Sequence, residues 1–219
     1  MQNTNLYDSD FIQVDFTKIK NKSLAGADLS EASLAHSNLS GVSLASTILH
    51  TTNFWKANLS GLDFTVADVI TDGITFIEAN LSNSNFEGVD LSPKETYFQV
   101  FENKADLNNL DERSLTENLI SSEHHIRIIS TEVRGNDLAV EYFFYNSFAR
   151  ANLENANFKN ADLKFANFYS ANLTNADLSG ADLRKTFLSG ADLSNANLEG
   201  ANLEGAQLTC KNHPICQMP

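Results

Sequence analysis

From Phe148 to Leu208 an apolar Leu or Phe falls on every fifth residue: Phe148, Leu153, Phe158 and onward to Leu203 and Leu208, thirteen hits in succession. Two residues before each centre stands a small residue, nearly always Ala, from Ala151 to Ala206. Between the two lies Asn or Asp in ten of the thirteen units. Five is a poor period for a helix, in which residues five apart sit roughly 140° around the axis. In a flat strand an odd period sends successive leucines to opposite faces. A chain that turns a corner every five residues keeps them all on one side. Ala and Leu, two apart, then both point inward, the Asn or Asp between them points outward, and pairs such as Ser-Gly or Thr-Asn form the corner.

Units such as Ala176-Asp177-Leu178-Ser179-Gly180 and Ala201-Asn202-Leu203-Glu204-Gly205 resemble the pentapeptide repeat family at every position. The resemblance implies an all-β protein, a right-handed quadrilateral β-helix with twenty residues to a coil. It covers the C-terminal block almost throughout and the rest in part.

Taken in order, Leu6, Phe11 and Phe16 are in phase, and the phase then slips across Thr17–Lys20. It settles from Leu24 to Val69, moves by two around Thr71-Asp72-Gly73-Ile74, and resumes as Phe76, Leu81, Phe86, Leu91. A short loop or bulged corner is predicted at that second slip. Pro93 ends the pattern. The organisation read from this is a repeat block over 1–91, a non-repeat insert over 92–145, a regular repeat block over 146–209 and a cap over 210–219, with the β-helix in two stacks. Within the insert, 92–121 fits either degenerate repeats or a short helix at 111–121. Residues 125–145 read as a β-hairpin turning at Arg134-Gly135-Asn136-Asp137, with apolar residues on both faces of its second strand.

With 219 residues, 42% of them hydrophobic, the chain is long enough for a sizeable core, and a repeat stack would draw it into a long thin column. No apolar run approaches the roughly 18 residues of a membrane span, and the start shows no secretory signal, so a cytoplasmic location is expected. The net charge of −13 opposes nonspecific binding to nucleic acid or an anionic membrane.

Counting twenty residues per coil puts Tyr145, Phe165 and Lys185 in one outward column and Ser147, Asn167, Phe187 and Gln207 in another. Phe165 occupies a corner and Phe187 an Asn/Asp position, so their neighbourhood is a sticky corner. The insert is expected to cover it; the other reading is self-association into a homodimer. Trp55, outward after inward Phe54, is a further candidate partner contact.

Candidate chemistry is sparse. Asp162 and Asp182 stack one coil apart beside Lys164 and Arg184 and read as hydrated acids. His124-His125 reads as a solvated strand entry. No nucleophile elbow or phosphate loop accompanies the Ser, His and Asp residues, so neither an enzyme nor a cofactor is expected. Cys210 and Cys216, the two cysteines of the chain, flank Lys-Asn-His-Pro-Ile after the last repeat. Three readings compete: a disulfide clip, reduced thiols capping the stack, and, ranked last for want of a fourth ligand, zinc on Cys210, His213 and Cys216.

Two function classes remain. One is a scaffold that presents rigid outer faces to a protein partner. The other is implied by the resemblance, since some relatives are acidic β-helices that mimic DNA and occupy a type II topoisomerase such as DNA gyrase. Against the second, residues 146–209 carry 7 acids and 5 bases, close to neutral, whereas 1–91 carry 11 and 4. The outward columns also mix Asp with Asn, and the tail lacks the dimerising helix of those relatives.

Overall fold

The computed structural model describes residues 1–67, 73–94, 97–101, 126–134 and 137–216. Its repeat units stack through isolated parallel bridges between the Asn/Asp positions of successive coils. These form four outward columns, whose first members are Asn5, Asp10, Asp15 and Ser23; they are faces 1 to 4 below.

Two local devices close each corner. The residue two after the apolar centre takes a left-handed backbone, as at Asn155 (φ 57°), Asn175 (φ 57°) and Gly180 (φ 67°), which Asn and Gly adopt most readily. The side-chain oxygen of the outward Asn or Asp then accepts the N–H two residues on, as Asn172 does from Thr174 (3.1 Å) and Asp177 from Ser179 (3.0 Å). Asn and Asp recur because they supply that acceptor. Many of the asparagines also donate to the rung above. On face 3, Asn58 Nδ2 bonds Asn38 Oδ1 (3.2 Å), Asn80 bonds Asn58 (3.2 Å), Asn152 bonds Asn80 (3.3 Å) and Asn172 bonds Asn152 (3.0 Å).

Inside, the expected leucines and phenylalanines form one column of core, buried except near its ends, where Phe11, Leu198, Leu203 and Leu208 are only partly covered; Val69 lies outside the described residues. Phe54, Phe76, Phe148 and Phe168 stack in file, with centroids 5.5, 4.9 and 4.9 Å apart. A second file, Phe64, Phe86 and Phe158, runs along face 4 at 4.3 and 4.8 Å.

Regular coils advance by twenty residues, as Ser147 to Asn167 to Phe187. Three departures carry the irregular sequence. In the first coil Asn5 pairs with Asp28, the three extra residues being taken up by 3-10 turns at Phe16–Lys18 and Lys20–Lys22. Asn53 pairs with Thr75, a two-residue excess matching the second phase slip; residues 68–72 themselves lie outside the described set. Finally Thr75 pairs with Ser147, and Asn80 with Asn152, across the whole insert. The two repeat blocks, expected as two stacks, are therefore one. Backbone pairing and both Phe files run through the junction as if the insert were absent, because the insert leaves and returns at one corner between faces 1 and 2.

The insert contributes an antiparallel sheet in the order β1-β3-β2, with β1 Tyr97–Phe101, β2 Ile126–Arg134 and β3 Asp137–Phe144. The hairpin strands pair as expected, with a bulge between Ile128 and Ser130. The turn residues 135–136, the ambiguous stretch 111–121 and His124-His125 lie outside the described residues. Strand β1, which sequence reasoning left undecided, pairs on the other side of β3. Ala139, Val140 and Phe143 are all buried, so both faces of β3 are covered. At the junction Asn146, 1% exposed, stands where the repeat has Ala. Its amide donates to Leu91 O (2.7 Å) and accepts from Ile74 N–H (2.8 Å), tying the insert's exit to its return.

Candidate interaction surface

Face 2 is where aromatic side chains leave the core pattern. Pairing aligns the position after each apolar centre into the column Ile12, Ala35, Trp55, Ile77, Ala149, Tyr169, Ser189, Thr209. Among the described residues six large apolar side chains are exposed, and Ile12, Trp55 and Tyr169 of this one column are half of them. Trp55 is fixed from three sides. Its backbone N–H donates to Asn53 Oδ1 (2.9 Å), the His36 ring stands nearly perpendicular to the indole with centroids 4.8 Å apart, and Lys56 Nζ lies 4.4 Å from the indole centroid. Beside it runs a short charged ladder, with Glu78 between Lys56 (3.4 Å) and Arg150 (3.6 Å). Arg150 reaches this place only because the coils on either side of the insert are adjacent.

The other two candidate contacts, Phe165 and Phe187, sit at the insert's corner and are half-buried. Phe143 of β3 packs edge-on against Phe165 at 4.9 Å, and Tyr145 lies 6.4 Å from Phe187 at a tilt. Thr75 and Ser147, outward by position, are buried as well. The insert thus occupies one margin of face 2, while the Trp55 column runs along the other. Between them Tyr145, Tyr169, Phe187 and Gln207 line a shallow groove.

On face 1 several charges are paired. On face 1 Asp182 takes a two-point contact from Arg184 (Nε to Oδ1 2.9 Å, Nη2 to Oδ2 2.6 Å), which holds its carboxyl below the usual range. Lys164 meets Asp162 at 2.8 Å, and that bond raises the lysine. On face 3 the ladder from Asn38 to Asn172 is amide throughout. On face 1 Asp90, Asp162 and Asp182 occupy successive rungs, but each is ion-paired, with Lys94, Lys164 and Arg184 in turn. The amide stretch of face 3 carries no carboxylate, so neither face presents the bare line of acids that a duplex mimic needs.

At the far end Cys210 and Cys216 are joined in a disulfide, the first of the three readings, and in that bond neither sulfur is a thiolate that could ligate zinc. Among the described residues no cluster of His, Cys, Asp and Glu could hold a metal ion. No helix among them is long and apolar enough to cross a membrane.

The pentapeptide repeats model matches residues 23–61, 71–92, 147–184 and 176–209, in 8 copies. The matches span more than half of the chain, which belongs to the pentapeptide repeat family and has its fold, a right-handed quadrilateral β-helix. Solved structures similar to it include a thylakoid-lumen pentapeptide repeat protein of Arabidopsis thaliana, 52% identical over 27% of this chain and 41% of that one, TM-score 0.27. The chain thus aligns with about two fifths of the plant protein's length. HetL, involved in regulating heterocyst differentiation in the cyanobacterium Nostoc sp. strain PCC 7120, is 19% identical over 95% of this chain and 89% of its own, TM-score 0.27. QnrB1, a plasmid-mediated fluoroquinolone resistance protein, is 16% identical over 96% and 81%, TM-score 0.38. No curated protein matches the chain.

Proposed function

We propose that this protein is a non-enzymatic binding module that docks a protein partner on the outer surface of its β-helix. The reading is carried by the placement of Ile12, Trp55 and Tyr169 in one exposed column of face 2. A rigid ladder holds such anchors at fixed spacing, about 4.8 Å per rung, so little ordering entropy is lost on binding. Large aromatic anchors carry most of the energy of typical interfaces. Trp55→Ala with Tyr169→Ala should abolish capture of the partner from native cell extract, while the paired change Ser60→Ala with Ser82→Ala on face 3 should leave it intact. Equal capture by all three proteins would sink the assignment. A cytoplasmic location is part of this proposal; fractionation of the native cell tests it.

A second reading, a DNA-mimicking regulator of a type II topoisomerase such as DNA gyrase, draws support from the net charge of −13. The amide ladder of face 3 and the ion pairs of face 1 weigh against it. Titration of the protein into a gyrase supercoiling assay separates the two. Inhibition at submicromolar protein, relieved by neutralising Asp63, Asp68 and Asp72, would favour the mimic.

A further inference from the structure

The last coil is closed by residues 210–216, and the two halves of that segment are held in different ways. Lys211 begins one more turn of the stack: its N–H donates to Ala191 O (2.8 Å), and Leu193 N–H donates to Lys211 O (3.1 Å). Lys211 is thereby the next rung of face 3 after Asp192, and Asn212 adds a side-chain bond to it, its Nδ2 donating to Asp192 Oδ1 (3.0 Å). This first half is sewn on like any coil. From His213 the described hydrogen bonds stay within the segment, Ile215 N–H to His213 Nδ1 (3.3 Å) and Cys216 N–H to His213 O (3.0 Å). Ile215 and Cys216 nevertheless pack against the buried core, as the partly buried Leu198, Leu203 and Leu208 of the last coil do. The Cys210–Cys216 disulfide is the covalent tie that joins this second half to the first.

The geometry points to a reducible latch on the terminal coil. Cys210 is buried and Cys216 half-buried, so Cys216 Sγ is the sulfur open to attack. A dithiol reductant attacks it as the thiolate, the S–S bond breaks, and Cys210 Sγ leaves with the electron pair and takes up a proton. The second thiol of the reductant then displaces Cys216, giving two cysteine thiols and an oxidised reductant. Opening releases residues 213–216, whereas 210–212 stay on the ladder through their backbone and amide bonds. The loop is short, so its closure constrains the unfolded chain little and the global effect is small. In a solenoid each coil answers chiefly to its neighbours, so the change is confined to the last coil. Ile215 and Cys216 then leave the core, and the end of the stack they pack against is exposed to water. In a reducing compartment the latch stands open, and in an oxidising one shut.

Hydrogen exchange on the full chain, with and without dithiothreitol, tests this, the thiol state being read from the mass gained on alkylation. On reduction, amides in 198–216 should exchange at least about tenfold faster, while those in 147–176 stay unchanged. The double variant Cys210→Ser with Cys216→Ser should exchange fast from the start and ignore the reductant. The proposal is overturned if the thiols are free yet 198–216 exchanges within about twofold of the oxidised protein. It also fails if oxidising conditions leave both thiols open to alkylation.

Discussion

Phe143 of the insert meets Phe165 of the solenoid edge-on at 4.9 Å, and Phe165 makes that contact from a corner residue with φ 64°. A bulky side chain in a left-handed backbone costs on the order of 1 kcal/mol; Asn and Gly hold many of the other corners, although Lys56, Glu78, Arg150 and Lys185 also adopt this backbone. The ring therefore trades backbone ease for insert packing.

That trade can be measured. Phe165→Asn should relax the corner but loosen the insert, leaving the coil itself near its original stability. A double-mutant cycle with Phe143→Ala should return a coupling of about 1 kcal/mol, as edge-to-face pairs do. Strict additivity would show that the two rings are neighbours without interacting.

Asn146→Ala restores the residue that the repeat prefers, and it should nonetheless destabilise. The exchange leaves Leu91 O and Ile74 N–H buried without their partner, costing about 2–4 kcal/mol in denaturant unfolding. A neutral result would mean that the insert's exit and return are held together by something else.

Leu178 is fully buried in the most regular part of the stack. Leu178→Ala should cost about 2–5 kcal/mol, and Leu178→Asp should prevent folding of the coils around it. A melting temperature within about 2 °C of the parent for the Asp variant would place Leu178 outside the core.

Acid should weaken the stack. Arg184 holds Asp182 below the usual carboxylate range, and hydrogen bonds from Ser194 and Asn212 do the same for Asp192. A depressed carboxyl contributes stability above its unfolded pKa and loses it as pH falls through the folded one. Melting temperature should therefore be level from about pH 7 to 5 and fall below about pH 4, more shallowly in Asp182→Asn. A profile that rose on acidification would contradict the sign.

The repeat made the core legible almost residue by residue, because a period of five leaves a buried centre nowhere else to go. Which coils are neighbours was not legible. A five-residue phase cannot count coils: the steps from Asn53 to Thr75 and from Thr75 to Ser147 each leave a remainder of two, yet one adds two residues to a coil and the other a whole sheet. The Lys56–Glu78–Arg150 ladder was hidden for that reason. The Trp55 column was half visible, since Trp55 stood out alone while Ile12 and Tyr169 joined it only through coil register. Asn146 carried a readable signal, an amide where Ala belongs, that went unused. Strand β1 is too short and too far from its partner β3 for local pattern to reveal the pairing.

The unbroken stack across the insert has a mechanical consequence. Pulled from its ends, an ordinary coil of twenty residues would pay out roughly 68 Å of contour, whereas the coil that spans Thr75 to Ser147 stores seventy-two residues, roughly 245 Å. One rung in the middle of the rod therefore carries more than three times the slack of its neighbours. A force trace should show one long extension step, a fingerprint of where the sheet is spliced in.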